Sequence, residues 1–325
     1  MRSPKSRATV RGRAETAGGN GGEFAAIDRL RERLPAPPPG EVWIGDDAAV
    51  LGARPGRLLI TTDLSVVGVH ADLALIGVDD LGWRALVAAV SDVAAMGGRP
   101  DGAVVAVAGP PDTDLDLLYD GITASSAVLG CPVIGGDLSN ATQLIVAVAV
   151  AGHVEGDPGP VRRDGARAGH ALFVTGPLGA GAAGLRLLRA GSKRDGGSHA
   201  LEMAHRRPQA RLAEGEAARL AGASAMIDVS DGLLADLGHI ADASEVGFRL
   251  DEVPVAVGAT LDEALGGGED YELVVATADP EGLLEAFAEA GLRPPVRIGS
   301  CTSDPWQRTL GGEPAPSMGW EHRWR

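Results

Sequence analysis

Short runs of Val, Ile, Leu and Ala that stop at Gly or Asp alternate with longer Ala- and Leu-rich stretches along most of this chain. Runs of the first kind suit buried strands, and stretches of the second suit helices. Strands are expected at residues 42–44, 58–62, 103–108, 132–134 and 144–151, then at 171–174, 225–227, 271–276 and 296–298. Helices are expected at 23–34, from Asp79 or Asp80 to Met96, at 114–129, 178–190, 209–221, from the segment after Asp231 through Ile240, and at 280–290. The stretch 191–199 reads as a polar loop. Gly156 to Pro160 reads as a linker, and the alternation restarts beyond it. The expected organisation is a disordered tail at 1–22, an N-terminal domain at 23–155 and a C-terminal domain at 156–325. The fold class is α/β (α+β), with mixed strands and helices in each half and no short repeat.

Composition narrows the chemistry. Of 325 residues, 45% are hydrophobic, enough for a sizeable core. The net charge of −15 argues against sequence-independent nucleic-acid binding. Lys5 and Lys193 are the only lysines, which disfavours a Walker A loop and Schiff-base catalysis. Cys131 and Cys301 are too few for a disulfide framework or a cysteine-rich zinc site. No apolar run is long enough to span a membrane, and the basic N-terminus lacks the apolar core of a secretory signal. A cytoplasmic protein is the expectation.

The carboxylates stand out. Asp46, Asp63, Asp137 and Asp228 are each expected at or just past the end of an apolar strand, with Asp231 close to one. Asp92 falls on a helix face shared with Ala88, Ala89, Ala95 and Met96. A turn-forming or capping role suffices for Asp47, Asp79, Asp80 and Asp101. For the set Asp46, Asp63, Asp92, Asp137, Asp228 and Asp231, a shared divalent-cation site is the simpler explanation. Buried charge is costly without a partner, and no Lys is at hand. Hard oxygen donors of this kind suit Mg²⁺. Gly135-Gly136-Asp137 and Gly266-Gly267-Gly268-Glu269-Asp270 allow backbone N–H groups to approach a phosphate, although glycine clusters are commonly plain turns. His70 by itself reads as a surface loop residue. HExxH, GxSxG, P-loop and Rossmann signatures are absent.

The strings Gly45-Asp-Asp-Ala-Ala-Val-Leu51, Thr61-Thr-Asp63, Gly68-Val-His70 and Ser91-Asp-Val-Ala-Ala-Met-Gly97 resemble the thiamine-monophosphate kinase family. So do Gly135-Gly-Asp137, Ile227-Asp-Val-Ser-Asp-Gly-Leu233, Gly267-Gly-Glu-Asp-Tyr-Glu-Leu273 and Gly319-Trp-Glu-His322, all in the family's order. The resemblance implies the two-domain synthetase-like kinase fold of the aminoimidazole-ribonucleotide-synthetase-like superfamily. Its N-terminal mixed-sheet domain dimerises, and its C-terminal domain is α/β. The implied reaction is Mg²⁺-assisted, direct in-line transfer from ATP to thiamine monophosphate in a homodimer. Carried over by position, the ligands of several Mg²⁺ ions are Asp46, Thr61, Thr62, Asp63, Asp92, Asp137, Asp228 and Asp231, with Asp63, Asp92 and Asp231 carrying the catalytic role. ATP contacts fall to Tyr119, Gly136, Asp137, Arg163 and Ser230, and substrate contacts to His70, Glu269 and Trp320.

The chain departs from the family at Val67, where Glu is usual, and at Ala71, where Phe is usual. It departs again at Leu138-Ser139-Asn140, where Thr-Thr-Arg is usual. These changes bear on efficiency or substrate preference more than on fold. A selenophosphate-synthetase-like enzyme fits less well, because no Cys precedes Cys131. A divalent-cation-binding scaffold without kinase activity is the non-enzymatic alternative.

Overall fold

The computed structural model describes residues 23–44, 48–191 and 196–321. The expected tail at 1–22, Asp46 and Lys193 lie outside them. The first half runs α1 (Glu23–Arg33), β1 (Arg57–Val66), α2 (Val78–Ala95), β2 (Arg99–Gly109), α3 (Leu115–Leu129), β3 (Val133–Asn140) and β4 (Ile145–Val154). After a short 3-10 turn at Arg163–Gly165 come β5 (Ala171–Val174), α4 (Ala180–Ala190), α5 (Gly196–Arg206), α6 (Leu212–Leu220), β6 (Ala225–Asp228) and α7 (Leu233–Ser244). The chain ends with β7 (Gly247–Leu250), α8 (Leu261–Gly266), β8 (Leu273–Thr277), α9 (Pro280–Glu289), β9 (Val296–Thr302), β10 (Arg308–Leu310) and β11 (Glu313–Pro314).

Two sheets organise these elements. The first has the order β1-β4-β2-β3 and is antiparallel except for β2 with β3. The second is seven-stranded, β11-β10-β7-β9-β5-β8-β6. Along β2 and β4 the inward residues Val105, Val107, Val146, Val148 and Val150 pack on Leu86, Ala89 and Val90 of α2 and on Ile122 of α3. The period-two pattern of the strands meets the apolar face of the helices there. The opposite face of this sheet is left open, with Leu58 67%, Ile60 75% and Leu64 47% exposed.

Helix α2 is buried along most of its length because it touches both halves. It packs on β1 and β4, and also on α6 and β6. Its cap differs from expectation. Gly77 is the N-cap, and Asp80 reaches back to accept from the Gly77 N–H at 3.2 Å.

Other differences matter more for function. Asp63 and Asp137 lie inside their strands rather than at the ends, because main-chain pairing continues to Val66 and Asn140. The expected strand at 42–44 is reduced to an isolated bridge between Val42 and Val50. Much of the expected polar loop at 191–199 is replaced from Gly196 by α5, whose Leu201, Glu202 and His205 are buried. No described helix is long and apolar enough to cross a membrane.

Candidate active site

Three segments meet between the halves. The inner side of β1 brings Thr61 and Asp63, the last turns of α2 bring Ser91 and Asp92, and the end of β6 brings Asp228. Thr61 Oγ1 donates to Asp92 Oδ2 at 2.5 Å, and Ser91 Oγ donates to Asp228 Oδ2 at 2.6 Å. Burial raises the Asp92 carboxyl and the neighbouring Asp63 raises it further, while Thr61 and Arg163 oppose the shift. Asp228 is pushed up to about 7, first by burial, with Ser91 opposing and Asp92 adding to it. One hydrogen bond contributes about 1 kcal/mol, against several kcal/mol for an ion removed from water. Burial therefore wins over the hydrogen bonds at both carboxyls.

The loop after β6 is held by a residue not expected from the sequence. Asp236, in the first turn of α7, accepts from the N–H groups of Asp231 and Gly232, both at 3.0 Å. It is buried, and burial together with Asp228 and Asp231 pushes its carboxyl up to about 8. An acid early in a helix reads in sequence as a dipole partner, so only the turn geometry exposes its second task.

A second loop closes over the first. The Glu269 N–H donates to Ser230 O and the Tyr271 N–H to Val229 O. A Cβ on Gly268 would lie 2.2 Å from Ser230 O, so this approach requires glycine. Glu269 and Tyr271 adopt φ of 69° and 52°, a strained arrangement for non-glycine residues that brings Glu269 round to α2. There its carboxylate pairs with Arg84. Trp320 reaches the same neighbourhood through its backbone N–H, which donates to Asp231 O at 3.0 Å, and the residue is 54% exposed.

Beside Thr61 and Asp92 opens a cavity of about 650 Å³. Arg162, Arg163 and Asp164 line it together with the apolar Ile60, Met96, Val161 and Met226. A pocket with an apolar wall and a few charged groups suits a nucleotide.

Not every expected residue gathers here. Strand register places Asp63 beside Val148, Val105 and Gly136, on the packed face, and Leu64 beside Ala147, Ala106 and Asp137, on the open face. Thr62 and Asp137 therefore point away from Thr61 and Asp63. Asp137 also lies three strands across, on the order of 14 Å at the usual strand spacing. Tyr119 is packed in the first core, where burial pushes its hydroxyl up to about 12. Among the described residues, no three Asp, Glu, His or Cys side chains converge on one metal position.

The raised carboxyls give the metal-free chain a pH-dependent stability. Between about pH 4 and their folded values, Asp228 and Asp236 hold protons that the unfolded chain has released. Stability therefore falls as pH rises through this window, by up to about 1.4 kcal/mol per pH unit for each group. His205 acts oppositely. Burial and Arg84 lower it to about 3, so stability is lost as pH falls below its unfolded value. The urea midpoint without divalent cations should rise as pH is lowered from about 8 to 6.5 and keep rising, less steeply, below that, where one imidazole offsets only one of the two carboxyls. A midpoint that is level or falling over that interval would contradict buried carboxyls that keep their protons in the folded chain.

Models for the AIR synthase related protein N-terminal and C-terminal domains match residues 45–154 and 167–308. Thiamine-monophosphate kinase from Mycobacterium tuberculosis is 38% identical over 277 residues, covering 80% of this chain and 81% of that protein. The crystal structure of thiamine-monophosphate kinase from Stenotrophomonas maltophilia superposes with a TM-score of 0.78 at 35% identity, covering 90% of this chain and 98% of that one. AaThiL complexed with AMPPCP and TMP gives 0.75 at 31%, covering 93% and 97%.

Proposed function

Because the chain belongs to the thiamine-monophosphate kinases of the AIR synthase related family, we infer that it transfers the γ-phosphoryl group of ATP to thiamine monophosphate, yielding thiamine diphosphate and ADP. The observation that carries this reading is the meeting of Asp92 and Asp228 beside a nucleotide-sized cavity that Arg163 lines. The complex of AaThiL with AMPPCP and TMP supports the same pair of ligands. A cytoplasmic location, where ATP is at hand, goes with it.

Mg²⁺ fits the donor set as a partner of the nucleotide. It usually takes one or two carboxylates and completes its shell with phosphate oxygens and waters. Pairs of carboxylates, rather than a closed cage, are what the described residues offer. Thr61, Asp63, Asp92, Asp228 and Asp231 would hold such ions in this chain. Bound there, Mg²⁺ would neutralise phosphate charge as it develops in transfer. The chain's own part is positioning. Thr61 and Ser91 orient two carboxylates, Asp236 shapes the loop of Ser230 and Asp231, and Arg163 faces the cavity. Glu269, His70 and Trp320 would receive thiamine monophosphate.

Thr62, Gly136 and Asp137 join this site through a second copy. Among the described residues, strands β1 and β3 are the edges of the first sheet, and its open face exposes Leu58, Ile60 and Leu64. A two-fold dimer that lays β1 of one chain along β3 of the other would cover that face and bring Asp137 of one beside Thr62 of the other, on the strand that also carries Asp63.

The test is a coupled assay of ADP release across phosphate acceptors, with titration calorimetry for ATP, Mg²⁺ and thiamine monophosphate. ADP formation that depends on both Mg²⁺ and thiamine monophosphate is expected. Metal binding without ADP release would mark a scaffold instead.

A further inference from the structure

Helix α2 carries a single cation, Arg84, inside an otherwise apolar and buried stretch. Its side chain is 5% exposed. One terminal nitrogen donates to His205 O and lies 3.4 Å from His205 Nδ1. The other donates to His70 O at 3.2 Å and to Glu269 Oε1. A planar guanidinium supports such a set at fixed angles, whereas an ammonium does not.

Two of these partners are the residues expected at the acceptor substrate, and they come from different halves. His70 is further constrained by the Val66 N–H, which donates to its Nδ1 at 3.0 Å. The neutral ring therefore carries its proton on Nε2. Glu269 sits on a backbone of positive φ and feels the charge of Asp63. His205 Nδ1 is 3.5 Å from the other Glu269 oxygen, Oε2.

Helix α5 holds Arg84 from behind. A Cβ on Gly184 of α4 would lie 2.1 Å from Leu201 O, so α4 and α5 are in backbone contact. Past the end of α5, Arg207 pairs with Asp79 and Asp80, and Trp83 Nε1 donates to Pro208 O at 2.8 Å. Arg206 also pairs with Asp80. The segment is thereby clamped to the first turns of α2, just before Arg84.

We propose that Arg84 is a positioning residue of the acceptor site: its guanidinium sets the Glu269 carboxylate and the His70 loop at one separation, so that both meet the same thiamine monophosphate molecule. This rests on the kinase reading above. Thiamine monophosphate and ATP occupy different parts of the site, so losing Arg84 should weaken only the former.

The experiment compares full-length wild type, R84Q, R84K and R84Q/E269Q by steady-state kinetics in both substrates, and by calorimetry with thiamine monophosphate alone. For R84Q, KM and Kd for thiamine monophosphate should rise by about 10- to 100-fold, the range for hydrogen bonds to charged groups, with KM for ATP within about twofold. R84K should recover part of the loss. R84Q/E269Q removes the half-buried carboxylate left without its guanidinium and should regain the melting temperature lost in R84Q without regaining affinity. Unchanged KM and Kd for thiamine monophosphate in R84Q would overturn the proposal. So would recovery of affinity along with stability in the double variant. A wild-type protein that releases no ADP with thiamine monophosphate would instead overturn the kinase reading.

Discussion

Asp92→Asn is expected to lower kcat for ADP formation by about three orders of magnitude while the chain stays folded, because charge neutralisation carries most of phosphoryl transfer. Asn keeps the shape of the side chain and can still accept from Thr61 Oγ1. It removes the charge that would hold a divalent cation at the mouth of the cavity. Burial already disfavours that charge in the metal-free chain. The melting temperature of the variant should therefore match or exceed that of the wild type. Asp63→Asn should act alike, since the Asp63 charge is felt at both Asp92 and Glu269. Coupled ADP release and a thermal melt, run together, separate the two effects. Near-normal turnover in both variants would remove Asp63 and Asp92 from the metal site. Direct in-line transfer also predicts that no phosphoenzyme accumulates, so trapping one by acid quench would refute it.

Mixing two inactive variants should restore activity. Asp63→Asn and Asp137→Asn each disable both sites of a homodimer if Asp63 and Asp137 from opposite chains serve one site. In a heterodimer of the two, one site carries both substitutions and the other carries neither. Random exchange of subunits should thus return about a quarter of wild-type activity, by the symmetry of a two-fold interface. The strand order makes this outcome sharp. Three strand spacings and opposite faces separate the two carboxylates within a chain. No recovery after subunit exchange, verified by mass spectrometry of differently tagged chains, would mean that Asp137 acts within its own chain or not at all.

Much of the site is legible in the order of residues alone. Asp228 lies at a strand end as expected, and Ser91-Asp92 falls on the helix face that meets it. The two loops that approach each other backbone to backbone, at 229–231 and 267–271, are the ones rich in Gly and Asp. Tyr119 shows the opposite case. It lies on a helix, as its surroundings in the chain suggest, but α3 turns that residue into the core. Helix α5 is not legible, because its first residues are Gly, Gly, Ser and His, poor helix formers that tertiary contact overrides.

What the sequence by itself determined is local. It set the alternation of strands and helices, the tight glycine loops, the scarcity of lysine and an excess of carboxylate. These follow from the side-chain periods of helix and strand and from charge, none of which needs a distant partner. The tertiary structure alone decided which carboxylates share a site. Thr61 and Asp63 face inward while Thr62 and Asp137 face outward, because register with β4 and β2 selects which side of the sheet is packed. It also chose the counter-charge. Arg84 meets Glu269 across 185 residues of chain, and no local pattern specifies a pair that forms only when α2 is enclosed by both halves.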